Sequence, residues 1–132
     1  MSSVFTKIIN KEIPSYILAE NDRFISILDI NPIRKGHSLV IPKVEIDYVF
    51  DLSDDYLNEI MLFSKKIAAG IKKTIDCNRI GISVIGLEVP HCHLHLIPIN
   101  NLSDMDFNNK VTISKEEMEN LCDRIRKSIV LD

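Results

Sequence analysis

Three histidines, His91, His93 and His95, alternate with other residues in the stretch PHCHLHLIP at residues 90–98. The chain has only four histidines, so this segment holds most of its imidazoles. Alternate side chains of a β-strand point to the same face, so a strand over 91–97 would align all three imidazoles on one face. The intervening apolar side chains would then pack on a helix, and the imidazole face would be free to form a site.

Two kinds of chemistry suit such a row of imidazoles. Two or three histidines with an open coordination position are typical of catalytic zinc or iron. No carboxylate lies at a recognisable ligand spacing, and Glu88 is the nearest candidate. Alternatively, one neutral imidazole is a nucleophile near pH 7 while its neighbours bind a phosphoryl group. His37, which follows Gly36 at the start of another predicted strand, is a candidate fourth member of the site.

Length and composition indicate an ordinary globular protein of one domain. The chain has 132 residues, of which 45% are hydrophobic and 27% charged, and its net charge of −3 argues against binding to a nucleic-acid backbone. Its three cysteines, Cys77, Cys92 and Cys122, form no Cys-x-x-Cys pair and are expected to be reduced thiols. Without an apolar run typical of a signal peptide or a membrane span, we expect a cytoplasmic protein that does not bind membranes.

The order of predicted elements indicates the class of fold. A short helix capped by Ser2 or Ser3 precedes a hairpin that turns at Asn21-Asp22, and a third strand ends at Pro42. A long amphipathic helix then begins after Ser53, two more strands cover 79–85 and 91–97, and a last helix follows Ser114. Strands joined by turns rather than by regular crossover helices predict an α+β domain with an antiparallel sheet.

Four stretches resemble, in order, the histidine triad (HIT) family of nucleotide hydrolases and transferases: VFTKIINKEIPSYILAE, FISILDINP, GHSLVIPK and VPHCHLHLIP. The resemblance covers nearly the whole chain. It implies a single HIT-like domain over residues 1–132, with an antiparallel sheet of about five strands, one long helix and a C-terminal helix. It also implies a homodimer.

The same resemblance implies roles for individual residues. His93 aligns with the nucleophile that attacks the α-phosphorus of a nucleotide and forms a covalent nucleotidyl-histidine intermediate. His91, His95 and His37 align with groups that contact phosphate or orient that nucleophile. Asp29 aligns with the acid that binds the ribose hydroxyls, and its alternative role is to start the turn at Asn31-Pro32. The base pocket would be lined by Phe5, Ile8, Ile27 and Leu39, with Val4 a weaker candidate; for Phe5, Ile8 and Leu39 ordinary core packing is the alternative.

Three departures from the family pattern lie outside the triad. Many members have a glutamine that helps to bind phosphate where this chain has Leu87, and the preceding loop is short and apolar. Glu88 either offers polar contacts there or is simply exposed. Some members also have an N-terminal Cys-x-x-Cys zinc site. Ser3 and Thr6 stand at those positions, so we predict no metal there.

The sequence therefore predicts a hydrolase of nucleoside phosphoramidates or dinucleoside polyphosphates that binds a small nucleotide, with purines favoured, and needs no cofactor. A nucleotidyl transferase shares the first half of this reaction. Two alternatives remain: a nucleotide-binding protein with little or no turnover, and a metal-dependent hydrolase that uses the same histidines as ligands.

Overall fold

The computed structural model describes residues 2–132 as a five-stranded antiparallel sheet with three helices. The elements are α1 (Val4–Ile9), β1 (Ile17–Glu20), β2 (Phe24–Leu28), β3 (Ser38–Pro42), α2 (Asp54–Thr74), β4 (Arg79–Ser83), β5 (Leu94–Ile99) and α3 (Lys115–Ser128). The strand order is β1-β2-β3-β5-β4. The predicted α+β class and the predicted number of strands are confirmed.

Serine side chains fix where the helices begin. Ser3, Ser53 and Ser114 each accept a hydrogen bond from the backbone N–H three residues further on, at 3.1 to 3.3 Å. α1 ends at Ile9, where the N–H of Asn10 donates to the carbonyls of Thr6 and Ile8. Within residues 2–132, none of the helices has the length and apolar composition that a membrane crossing requires.

Side-chain alternation along the strands divides the interior into two cores. α2 and α3 cover one face of the sheet, where their apolar side chains meet the helix-side residues of the central strands. A smaller core under α1 covers the other face and consists of Phe5, Ile8, Ile25, Ile27, Leu39 and Ile41. On β5, His95 is paired with Leu39 of β3, which places this imidazole on the α1 side of the sheet.

The histidine segment is less strand-like than predicted. β5 begins at Leu94, so His91 and His93 precede it. The N–H of Cys92 donates to the carbonyl of Ile46, beyond β3, so the chain before Leu94 does not continue the ladder with that strand. The predicted division of faces is nevertheless present. Cys92, Leu94 and Leu96 join the helix-side core, whereas the Phe5 ring of α1 packs against both His91 and His93.

The end of this segment also differs from the prediction. The predicted strand ends at residue 97, but β5 continues to Ile99 and Pro98 pairs with Ile80 of β4. The pairing of β5 with β3 extends only to Leu96. A residue that lacks an N–H is therefore tolerated at Pro98, where only one neighbouring strand remains.

Candidate active site

A cavity of about 460 Å³ opens beside α1, at the end of β2 and in front of the histidine segment. This volume lies in the range of small-molecule sites. Its wall includes these residues singled out from the sequence: Val4, Phe5, Ile8, Ile27, Asp29, Leu39, Glu88, His93 and His95. His37 and His91 are not on the wall and lie behind it, fully buried. The cavity is thus mainly apolar, with its imidazoles at one end.

The His93 ring is oriented by the backbone. Its Nδ1 lies 2.8 Å from the carbonyl oxygen of His91. A carbonyl oxygen only accepts hydrogen bonds, so Nδ1 carries the hydrogen and the neutral ring has its lone pair on Nε2. Among residues 2–132 no side chain or backbone group forms a hydrogen bond with that Nε2. His93 therefore offers an unshared lone pair to a ligand in the cavity.

Backbone geometry also determines the tautomers of His37 and His95. The N–H of Ile33 donates to Nδ1 of His37 at 3.1 Å, so the hydrogen of the neutral His37 ring is on Nε2. That Nε2 donates to Nδ1 of His95 at 2.9 Å. The hydrogen of His95 is consequently on its own Nε2, where it is available to a ligand. The pair presents a hydrogen-bond donor beside the lone pair of His93.

Burial keeps both members of this pair neutral. Loss of solvent lowers the pKa of His37 to about 4, although the nearby Asp29 carboxylate opposes the shift. Burial likewise lowers the pKa of His95 to about 3, with a further contribution from the adjacent His37. At pH 7 neither imidazole carries a charge, so each acts through a hydrogen bond rather than as a cation.

His91 has no ring nitrogen left for a ligand. Its Nε2 donates to the carbonyl oxygen of Pro42 at 2.9 Å, and its Nδ1 accepts from the hydroxyl of Ser3 at 2.7 Å. Burial lowers the pKa of this ring as well. What His91 offers the site is its carbonyl oxygen, which orients His93.

A polar cluster at the start of α1 holds Ser3 in place. One carboxylate oxygen of Glu45 accepts both the backbone N–H of Ser3 and the hydroxyl of Thr6, each at 2.6 Å. These hydrogen bonds lower the pKa of Glu45. Two hydroxyls are poor zinc ligands compared with thiolates, and Nδ1 of His91 is already an acceptor for Ser3, so this donor set does not suit a structural zinc. No sequence pattern pointed to Glu45.

Asp29 starts the turn considered for it, and its second carboxylate oxygen faces the buried histidine pair. One carboxylate oxygen accepts the backbone N–H of Asn31 at 2.8 Å, as in an Asx turn, while the other lies 3.5 Å from Nε2 of His37. Asp29, His37 and His95 bring potential metal-binding atoms within 4.8 Å of one another. Nε2 of His37 carries a hydrogen, however, since Nδ1 accepts from Ile33. It lacks the lone pair that a metal ligand must supply.

The rest of the cavity wall includes residues that were singled out from the sequence and residues that were not. Leu87 is 89% exposed, and the carboxylate of Glu88 is exposed at the cavity. Phe107 and Lys110, from the segment after β5, complete the wall next to the histidines. Neither had been singled out, because their approach depends on how the chain returns across the sheet rather than on local spacing.

Comparisons with known proteins agree with this architecture. A model of the HIT domain matches residues 10–102. The "Uncharacterized HIT-like protein" of Borreliella burgdorferi is 34% identical over 96% of this chain and 97% of its own length. The "Adenosine 5'-monophosphoramidase HNT1" of Saccharomyces cerevisiae is 38% identical over 72% of this chain and 61% of its own length. The solved structure of a HIT-like protein involved in cell-cycle regulation from Bartonella henselae superimposes with a TM-score of 0.84 at 29% identity, covering 97% of this chain and 96% of the other.

Proposed function

This chain belongs to the HIT family, and on that premise we propose that it hydrolyses nucleoside phosphoramidates or dinucleoside polyphosphates through a covalent nucleotidyl-histidine intermediate. The single observation that carries the proposal is His93, whose Nδ1–H is held by the carbonyl of His91 while Nε2 remains free at the cavity. An imidazole in this tautomer is an oriented nucleophile. The yeast relative named as a phosphoramidase supports the same class of substrate.

The reaction would proceed by two displacements at phosphorus. Nε2 of His93 attacks the α-phosphorus, a P–N bond forms, and the bond to the leaving group breaks. Nε2–H of His95 is placed to donate a hydrogen bond to a phosphoryl or leaving-group oxygen or nitrogen, which stabilises the charge that develops there. Water then attacks the same phosphorus, the P–N bond to His93 breaks, and a nucleoside monophosphate is released.

The apolar end of the cavity would hold the base. Phe5, Ile8 and Leu39 are part of the α1 core and also line the cavity, so one set of side chains serves both packing and binding. A flat, largely apolar purine suits this wall. Asp29 would accept hydrogen bonds from the ribose hydroxyls.

A homodimer is part of the proposal. The β1 edge of the sheet is covered, since the guanidinium of Arg126 donates to the carbonyl of Ile17 at 2.6 and 3.1 Å. The β4 edge exposes Ile82, which is 45% accessible, and the chain that follows it exposes two more apolar residues, Val84 and Ile85. Pairing of two β4 edges would cover these side chains.

Sedimentation of the purified protein tests the dimer. We expect the parent protein to be a dimer and Ile82→Lys to shift it to monomer. Leu62→Lys, at a residue 60% exposed beside the β1–β2 hairpin at the opposite edge of the sheet, should leave the dimer intact. A monomeric parent would contradict the dimer. A dimer that persists in Ile82→Lys would contradict this interface.

Turnover of adenosine 5'-phosphoramidate tests the activity. The parent protein should release AMP, and intact mass after a rapid quench should show an adduct of one nucleotidyl group. His93→Ala should lose both signals. Cys92→Ala is the matched control, because this neighbouring side chain packs in the helix-side core and burial raises its thiol pKa to about 11. Equal rates for the parent and His93→Ala would refute the mechanism, and tight AMP binding without turnover would identify a binding protein instead.

A further inference from the structure

The segment that links β5 to α3 crosses the imidazole end of the cavity and is fixed at two points. Asp106 starts a turn in which its carboxylate accepts the N–H of Asn108 and its carbonyl accepts the N–H of Asn109. Further along, the N–H of Val111 donates to the carbonyl of Pro32 at 2.8 Å. The residues between these points therefore have a defined position over the site.

Phe107 covers the buried histidine pair. Its ring packs edge-on against His95, with centroids 4.8 Å apart, and against His37 at 6.1 Å. These contacts hold the segment against the side of the site where the His95 hydrogen is available. Lys110 follows three residues later, and its ammonium lies 5.9 Å from the centre of the Phe107 ring.

Lys110 differs in charge from the other ionisable residues around the cavity. It is the one lysine or arginine among the described residues on the wall, whereas Asp29 and Glu88 contribute two carboxylates. The histidines His37 and His95 are uncharged at pH 7, for the reason given above. Among the described residues of the cavity wall, Lys110 would thus supply the one fixed positive charge to a phosphate placed beside His93.

We propose that Lys110 binds the phosphate of the nucleotide and makes the cavity selective for phosphorylated over unphosphorylated nucleosides. This inference rests on the proposed function, since it assigns a ligand group to the same cavity. The ammonium lies 5.9 Å from the centre of the Phe107 ring, which itself packs against His95, and Lys110 lines the same cavity as His93. Charge attraction at this point counteracts the repulsion that Asp29 and Glu88 exert on an anionic ligand.

Calorimetric titration with AMP and with adenosine separates phosphate binding from base and ribose binding. The parent protein should bind AMP more tightly than adenosine, and rising salt should weaken only the AMP complex. Lys110→Ala should weaken AMP binding about tenfold and leave adenosine binding within about twofold. Lys110→Arg should restore most of the AMP affinity, because it restores the charge. Lys115→Ala, an equal loss of charge at the start of α3, is the matched control and should behave as the parent.

Three outcomes would count against the inference. Unchanged AMP affinity in Lys110→Ala, or an equal loss for AMP and adenosine, would overturn it while leaving the proposed function intact. A parent protein that bound neither AMP nor adenosine would overturn this inference without deciding the proposed function. The phosphoramidate assay with His93→Ala then remains an independent measure of the proposed function.

Discussion

The hydroxyl oxygen of Ser3 lies 2.7 Å from Nδ1 of His91, and the carbonyl of His91 in turn accepts the hydrogen on Nδ1 of His93. The first turn of α1 is thereby connected to the proposed nucleophile through one intervening residue. Because Ser3 is not on the cavity wall, its effect on the reaction would be that of a positioning residue.

Ser3→Gly should lower kcat about tenfold with little change in KM, since it removes the hydroxyl that fixes the His91 ring but no group on the cavity wall. Glycine is chosen because it is nearly as good an N-cap as serine, whereas alanine would also weaken α1. Steady-state turnover of a nucleoside phosphoramidate measures the effect. Ser53→Gly makes the same change at the N-cap of α2 and should keep the parent kcat. An equal loss in both variants would show that capping, rather than orientation of His91, is responsible.

Asp29→Asn should raise KM about tenfold for a ribonucleotide substrate, because an amide replaces the charged acceptor proposed for the ribose hydroxyls. The Asx turn to Asn31 survives, since asparagine retains an oxygen to accept that N–H. The matching 2',3'-dideoxy substrate should be hydrolysed with similar KM by both proteins. A similar rise for both substrates would assign Asp29 a structural role only.

The free energy of unfolding should fall as pH decreases from 6.5 to about 4.5. In the unfolded chain histidines bind protons near pH 6.5, whereas burial keeps His37 and His95 neutral until about pH 4 and 3. The unfolded state therefore binds more protons in this window, and each such histidine contributes a loss of at most about 1.4 kcal/mol per pH unit. Urea denaturation at several pH values measures the slope. Constant stability from pH 6.5 to 4.5, before the carboxylates titrate, would contradict the burial of neutral imidazoles.

Gly70→Ala should destabilise the contact between α2 and α3 by about 1–3 kcal/mol. A Cβ at Gly70 would lie 2.4 Å from Cγ1 and 3.1 Å from Cα of Ile129, so the backbone after α3 would have to move. This cost is partly offset by a gain of about 1 kcal/mol, because alanine favours a helix more than glycine does. Thermal and urea unfolding measure the difference. Ala69→Gly, at the exposed neighbouring position, measures the effect of helix propensity alone. A Gly70→Ala variant more stable than the parent would show that α2 and α3 separate at no cost.

Local sequence signals predicted the elements well. Serine caps located the helix starts, and alternation of side chains assigned Leu94 and Leu96 to the core and the histidines to the opposite side. The exact extent of β5 was not predictable in the same way. It depends on the backbone hydrogen bond from Cys92 to Ile46, a residue of the segment after β3 that no pattern around the histidines specifies.

In the proposed site as well, residues within a local sequence pattern were predicted, whereas residues brought in from distant segments were not. His93 and Asp29 were named from the sequence and line the cavity, although their chemical roles remain predictions. Glu45, Phe107 and Lys110 carry no pattern of their own. Each reaches the site through a turn or a returning loop whose direction is set by packing, so periodicity and spacing within a segment contain no information about them.

α1 supplies both the Ser3 tether to His91 and, through Phe5 and Ile8, part of the cavity wall. It is only six residues long, far shorter than a helix that is stable by itself in water, and so it persists only while these contacts persist. Detachment of this one turn and a half would release the nucleophile and open the binding cavity in a single event, while the sheet, α2 and α3 stayed folded. The active form of the site would then have its own local folding equilibrium. A bound nucleotide would shift that equilibrium toward the state in which α1 is attached.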